Sequence, residues 1–333
     1  MRIGVTYDLR ADYLAQGMSE EDSAEFDSEV TIAAICGALQ GLGYEPVRIG
    51  HVKALTQRLA AGEHWDAVFN ICEGVRGYAR EAQVPALLEA YDIPAVFSDA
   101  LTLAVALDKG WAKRIVRDHG IPTADFALIE KAADIGRVAL GYPVFLKPVA
   151  EGSGKGVNER SRADTPAQLK SAARSLLARF RQPVLVEAYL PGREFTVGIT
   201  GTADEAEALG VMEIATTAQA TGQGYGYGLK TDWEGKVDLR LVEDPEAREA
   251  EKVALAAWRA LRCRDGGRID LRSDGRGHPC FIEVNPLAGL RPDYSDLCLL
   301  ARFRGISYQD LIGKITASFS KRHPELARRR AAA

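Results

Sequence analysis

Four polar side chains in the last third of the chain carry its strongest chemical signal: Arg268 and Asp270 in Arg268-Ile269-Asp270, and Glu283 and Asn285 in Glu283-Val284-Asn285. Side chains two apart on a strand point to the same face, so each pair shares a side. Between them lies the turn-prone segment Ser273-Asp274-Gly275-Arg276-Gly277, which predicts a hairpin with strands over 268–271 and 280–284. A register centred on that turn pairs Arg268 with Asn285 and Asp270 with Glu283, and all four polar tips then meet. Carboxylate and amide oxygens are hard ligands of the kind Mg²⁺ takes when carboxylates and substrate phosphates share it. Arg268 beside them would neutralise developing charge. Taken alone, the same four residues fit equally well a solvent-facing strand of mixed charge.

Two further clusters suggest a phosphate and a base. The apolar run Val144-Phe145-Leu146-Lys147-Pro148 feeds Glu151-Gly152-Ser153-Gly154-Lys155-Gly156-Val157. Gly152 and Gly154 let backbone amides curl around an anion, while Lys147 and Lys155 add point charges. The GxxxxGK[ST] spacing is absent, and a glycine-rich loop by itself is more often a flexible turn. In the third cluster, Val184-Leu185-Val186-Glu187-Ala188-Tyr189-Leu190 is a strand ending in a hinge whose amides could meet an adenine edge. Glu194 follows the Pro191-Gly192 turn and would suit a ribose hydroxyl; alone, this segment reads as a strand followed by a turn.

These residues need elements to hold them. Over the first hundred residues apolar strand-like runs alternate with helical patterns, which predicts an α/β unit with a mostly parallel sheet. Strands are expected at Arg2 to Tyr7, Pro46 to Ile49, Ala67 to Ile71 and Ala95 to Phe97. Helices are expected over Ser28 to Leu42, with Val30, Ala33, Ala34, Ile35, Ala38 and Leu39 at helical spacing, and near 52–61 and 81–91. The acidic stretch Ser19 to Asp27 reads as a loop. One long helix is expected from Leu101 through Lys109 to His119, ended by Gly120 and Pro122. A small α+β module follows, with a strand at Val144 to Lys147, a helix from Thr165 to Phe180 and a strand at Val184 to Glu187. The last third holds strands near Glu194 to Ile199 and Ala206 to Met212, then the glycine-rich Thr221 to Lys230, expected to form a lid. Asp244-Pro245 opens another helix, and a C-terminal helix ends in a solvated Arg328-Arg329-Arg330 tail.

Composition excludes several function classes. Lys and Arg number 42 against 46 Asp and Glu, a net charge of -4, so no global basic field recruits nucleic acid or an acidic membrane surface. Five scattered cysteines without a CxxC read as reduced thiols, and five histidines without HExxH spacing give a zinc hydrolase no support. Any metal must be held by oxygen. No apolar run approaches the ~18 to 20 residues of a membrane helix, and Met1 leads straight into a strand-like segment, so the expected compartment is the cytoplasm.

In order along the chain, Asp27-Ser28-Glu29-Val30, Leu107-Asp108-Lys109, Phe145-Leu146-Lys147-Pro148, Glu151-Gly152-Ser153, Arg193-Glu194-Phe195-Thr196-Val197 and Glu283-Val284-Asn285-Pro286 with Gly289 resemble the ATP-grasp superfamily. The likeness is to D-alanine:D-alanine ligase-like carboxylate-amine ligases and spans nearly the whole chain. It implies an α/β N-terminal domain with a parallel sheet (1–103), followed by two α+β ATP-grasp modules (104–188 and 189–333). It implies ATP, two magnesium ions with Mn²⁺ as the substitute, amino acid or amine substrates and a homodimer. By the same resemblance Lys109 and Lys147, with Gly152, Gly154 and Lys155, would hold phosphates. Glu187 and the backbone of Ala188 to Leu190 would read adenine, Glu194 the ribose, and Asp270, Glu283 and Asn285 the metal. Arg268 would stabilise the tetrahedral oxyanion, and Asp27 and Ser153 would orient the first amino acid. Lys230 would close over the γ-phosphate.

The substrate pocket departs from the family pattern. A His-Gly segment after the third strand is replaced by Phe69-Asn70-Ile71-Cys72-Glu73-Gly74, then Arg76, Tyr78, Arg80 and Glu81. Asp27 stands where a longer Glu is usual. Leu290-Arg291-Pro292-Asp293-Tyr294-Ser295 replaces a serine-rich stretch, which leaves Arg291 to take the second substrate's carboxylate, with Gly289, Tyr294 and Arg80 nearby. Three readings stay open at this level: an ADP-forming amino acid ligase, a specialised biosynthetic amide ligase using a non-proteinogenic substrate, and a non-catalytic ATP or amino-acid binding module.

Overall fold

The computed structural model describes residues 1–216 and 237–326. Lys230 and the expected lid, and the Arg328 to Arg330 tail, lie outside the described residues.

The chain opens with β1 (Arg2–Tyr7), the short α1 (Arg10–Ala15), α2 (Glu29–Gly41), β2 (Glu45–Gly50), α3 (Val52–Ala60), β3 (Ala67–Ile71), α4 (Gln83–Ala90) and β4 (Ala95–Val96). Their strands form one parallel sheet in the order β2-β1-β3-β4. β3 is buried along its whole length, as a strand covered on both faces must be. The buried side of α2 is Thr31, Ile32, Ile35, Ala38 and Leu39. Val30, expected in that stripe, is 56% exposed and corrects the expected face by a fraction of a turn.

The expected long helix is two. α5 (Ala100–Leu107) stops at Asp108, whose extended backbone (φ -85°, ψ 98°) breaks the spiral, and α6 (Lys109–Asp118) restarts with the Asp108 carboxylate accepting from Trp111 N at 3.0 Å. An aspartate satisfies the unpaired amides of a new first turn better than it continues an old helix. The break puts Lys109 at the start of α6.

Next come β5 (Phe126–Ile129), β6 (Val144–Pro148), β7 (Arg162–Ala163), α7 (Pro166–Phe180) and β8 (Val184–Ala188). These strands form an antiparallel sheet ordered β5-β8-β6-β7, with α7 packed against it through Leu169, Ala173 and Leu176. β5 was not anticipated; its four residues are too few to show a period.

The third sheet is also antiparallel, ordered β11-β10-β9-β12-β13 from β9 (Glu194–Thr200), β10 (Glu207–Thr216), β11 (Val237–Val242), β12 (Gly266–Ser273) and β13 (Pro279–Asn285). Between β11 and β12 runs α8 (Pro245–Ala260), opened by Asp244, whose carboxylate accepts from the amides of Glu246 and Ala247. α8 shares a core with the sheet and with Ala112 and Val116 of α6. At Gly267 of β12 any side chain would collide with the Asn285 carbonyl oxygen, 2.5 Å from an added Cβ, and with the Trp258 ring. The expected single C-terminal helix is also two, α9 (Asp296–Phe303) and α10 (Tyr308–Arg322), separated at Gly305 (φ +72°). Both return to the first sheet, where Leu297, Leu300, Leu311 and Ile315 join the core of Ile3, Val5 and Ile35.

All five cysteines are unpaired thiols. Among the described residues no helix is long and apolar enough to cross a membrane.

Candidate active site

The hairpin has the register its turn predicts: Arg268 pairs with Asn285, Ile269 with Val284 and Asp270 with Glu283. Beyond that point β13 carries one extra residue, since Leu271 pairs with Phe281 and Ile282 is left over. Such a bulge breaks the strict alternation of faces, and Ile282 accordingly lines the same cavity as its neighbour Glu283. Asp270 is the hub of the face. Its Oδ1 accepts from Thr196 Oγ1 of β9 at 2.9 Å, and its Oδ2 accepts from Asn285 Nδ2 at 3.2 Å and from Arg268 Nη1. Glu283 lies 3.3 Å from Lys109 Nζ, and Asp296, at the start of α9, lies 3.7 Å from Arg268 Nε. Burial opposes the charge on Arg268, but Asp270 and Asp296 outweigh it and hold the guanidinium protonated.

Among the described residues no three His, Cys, Asp or Glu side chains converge on a metal position. Two carboxylates and an amide is nevertheless the donor chemistry of an ion that takes its remaining ligands from water and phosphate, so these residues fit Mg²⁺. The Asn285 amide nitrogen faces Asp270, which leaves the amide oxygen as the donor for a cation.

A cavity opens over this face, walled by Lys109, Lys147, Glu187, the Ala188 to Leu190 hinge and Glu194. Lys147 Nζ lies 3.0 Å from Glu187 Oε2, while Glu187 Oε1 accepts from Lys113 at 2.6 Å. Burial alone would push the Glu187 carboxyl up; the two lysines outweigh it and hold it below the usual carboxylate range. Burial likewise works against the charge on Lys147, but Glu187 and Glu283 hold that ammonium above the usual lysine range. Glu194 is paired with Arg272 at 3.2 Å.

The glycine loop takes a course that sequence reasoning missed. Ser153, Gly154 and Gly156 all have positive φ (49°, 69° and 77°), so the loop curls as expected. Its inward amide is taken by the protein itself: Gly152 N donates to Glu25 Oε1 at 2.6 Å, and Lys155 Nζ donates to Glu25 Oε2 at 2.9 Å. Gly152 N and Lys155 Nζ thus meet a carboxylate from the acidic Ser19 to Asp27 segment, while Gly154 and Lys155 both line the cavity over the hairpin. Arg80 also differs from expectation. It donates to the Ala150 carbonyl at 2.8 Å and pairs with Glu25 at 3.2 Å, so it buttresses the loop and is not among the residues lining the second cavity, described next. Nothing in the local pattern distinguishes Glu25 from its solvated acidic neighbours; only its distant partners do.

The second cavity adjoins the first and is lined by Asp27, Ser153, Gly289, Arg291, Tyr294 and Ser295. Arg268 and Asp296 line both. Gly289 is packed close to Ser295, whose Oγ would lie 2.8 Å from an added Cβ. The Arg291 guanidinium stacks over the Tyr294 ring, 5.5 Å from its centroid.

Burial pushes the Asp27 carboxyl up to about 7, against the lowering effect of the Thr31 hydroxyl and with help from the Asp8 charge. Below that pH the group is neutral and would hold an ammonium weakly; above it the group is ionised. The kcat/KM for an amino substrate is therefore expected to climb as pH rises through about 7 and then level off. Glu81 is pushed to about 7 by burial too, so Glu81→Gln is the control that should keep the climb while Asp27→Asn loses it. A climb that survives in Asp27→Asn would remove the assignment.

Comparison with known proteins adds the following. A family model described as D-ala D-ala ligase C-terminus matches residues 115–317. The D-alanine--D-alanine ligase of Bordetella avium is 33% identical over 273 residues, covering 80% of this chain and 81% of that protein. The D-alanine--D-alanine ligase of Aquifex aeolicus is 32% identical over 284 residues, covering 85% and 92%. The crystal structure of the D-alanine--D-alanine ligase from Bacillus anthracis complexed with ATP superposes with a TM-score of 0.72 over 98% of this chain and 99% of that one, at 24% identity, a likeness of fold.

Proposed function

The chain belongs to the D-alanine--D-alanine ligase family, and on that premise we propose that it is an ATP-dependent, ADP-forming ligase joining an amino acid carboxylate to the amine of a second amino acid through an acyl phosphate. One observation carries this reading: the two cavities meet at Arg268 and Asp296, so the charged groups that line both, among the described residues, stand where a phosphoryl donor and an amino acid would touch.

In this reading Lys109 and Lys147 hold phosphate oxygens, Glu187 and the hinge backbone receive adenine, and Glu194 the ribose. Asp270, Glu283 and Asn285 would hold two magnesium ions, which would supply charge neutralisation for the phosphates. Asp27 grips the first substrate's ammonium and Ser153 orients it, while Arg291 over Tyr294 receives the second substrate's carboxylate. Arg268 takes the charge that develops on the carbonyl oxygen when the amine adds. Because positioning and electrostatics do most of the work in such a transfer, the residues around Asp270 act by being held still. Thr196, Asn285 and Arg268 all engage one carboxylate, which supports that role. A protein that merely senses a nucleotide has no use for Arg268 at the junction.

The test is ADP release over a matrix of D- and L-amino acids and simple amines, with mass spectrometry of the products. An amide product with stoichiometric ADP is expected for at least one pair. Nucleotide binding without ADP release across the matrix would overturn the reading.

A further inference from the structure

Lys113 follows Lys109 by one helical turn on α6, so both stems leave the same face of the helix. Lys109 reaches the hairpin, 3.3 Å from Glu283, and donates to the Glu151 carbonyl at 2.5 Å. Lys113 goes inward. Its side chain has 0% exposure, and its three N-H donors find three acceptors: Glu187 Oε1 at 2.6 Å, Thr123 Oγ1 at 2.6 Å and the Phe281 carbonyl at 3.2 Å. An ammonium has only three donors, so Lys113 has none left for a ligand. Whatever it contributes to the reaction must pass through Glu187.

Glu187 stands between two cations. One oxygen faces Lys113 in the core and the other faces Lys147 at the cavity wall, and among the described residues Lys147 makes no second ion pair. Within this triad two ammonium groups against one carboxylate leave a single positive charge on the side of Lys147, where the charges of Glu283 and Glu194 also act. Without Lys113, Glu187 would neutralise Lys147 and the cavity wall would face a phosphate chain with one positive charge fewer.

We propose that Lys113 is a positioning residue of the nucleotide site: by engaging one oxygen of Glu187 from within the core, it leaves Lys147 a surplus positive charge for the nucleotide's phosphates. This rests on the reading of the cavity as an ATP site. A residue that only packed the core would have no such effect on charge, and that difference can be measured.

The experiment counts charges in the full-length protein by calorimetric titration with ATP and excess magnesium. Lys113→Met should weaken ATP binding about tenfold to a hundredfold, the scale of a charge-assisted contact. Measured with inorganic triphosphate and magnesium, a probe without the adenine that Glu187 receives, Lys113→Met should show the same loss, and Lys113→Met combined with Glu187→Gln, which returns the wall to one positive charge, should recover most of it. An equal or deeper loss in the double variant, or wild-type affinity in Lys113→Met, overturns the proposal. If Lys113→Met fails to fold, the double variant decides alone: triphosphate affinity within about tenfold of wild type supports the proposal, and a larger loss overturns it. Failure of the wild-type protein to bind ATP would defeat the nucleotide-site reading itself, an outcome separate from either of the others.

Discussion

Asp270→Asn and Glu283→Gln are each expected to lower turnover by at least about a hundredfold, read as ADP release at saturating magnesium, the scale of lost charge stabilisation at a transferring phosphoryl group. Asp270→Asn is a demanding test because shape is nearly conserved. Thr196 and Asn285 can still bond the new amide, whereas the charge that balances Arg268 and would bind a cation disappears. Glu283→Gln removes the carboxylate opposite Lys109, leaving an ammonium at 3.3 Å without its counter-charge. Both variants should show a raised magnesium requirement before they show a raised ATP KM. Wild-type rates in either one, at any magnesium concentration, would remove these two residues from the metal assignment.

Arg268→Met should be more damaging still, with kcat reduced about a thousandfold, and Arg268→Lys should lose about a hundredfold. The side chain is 12% exposed and lies between Asp270 and Asp296. Lysine keeps the charge but not the planar fork that spans both carboxylates. Methionine leaves the half-buried carboxylates of Asp270 and Asp296 without the cation they share, and a stability loss of about 1 to 3 kcal/mol is expected. Urea unfolding separates that loss from the kinetic one. Since the proposed contact forms with the developing oxyanion, kcat and kcat/KM should fall together while the ATP KM stays near its wild-type value. A folded Arg268→Met enzyme turning over within about tenfold of wild type, well short of the loss expected for such a contact, would show that the charge at this junction is not used in the chemistry.

The elements of the fold were legible where a short-range rule governs them. β1 and β3 lie where their apolar runs predict, α8 begins at Asp244-Pro245, and the hairpin pairs Arg268 with Asn285 and Asp270 with Glu283. Each of these depends on a local preference: a period of two, a cap, or a turn centred between strands. The misreadings are also local in origin. Asp108 looked like a tolerable residue within a long amphipathic helix, but its carboxylate does more by capping α6 than by continuing α5. Val30 looked like part of the apolar face of α2, but which flank of that stripe is covered depends on α10, some 280 residues away, which packs against α2 through Leu311 and Ile315.

The candidate site divides along the same line. Residue types were enough to select Lys147, Glu187, Glu194, Arg268, Asp270, Glu283 and Asn285 as candidates, because a cation or a phosphate needs particular atoms whatever the fold around them, and the family resemblance added Lys109. Partnership was beyond reach. Glu25 could be any member of an acidic loop until it meets Gly152, 127 positions later, and Lys113 is an ordinary helix lysine until Glu187 and Phe281 arrive from two different sheets. Coulombic attraction and burial act through space, so sequence by itself determined which functional groups this protein owns and the strands that carry most of them. Only the tertiary structure decided which charges face each other, and therefore which are spent on holding the site together and which are turned toward a ligand.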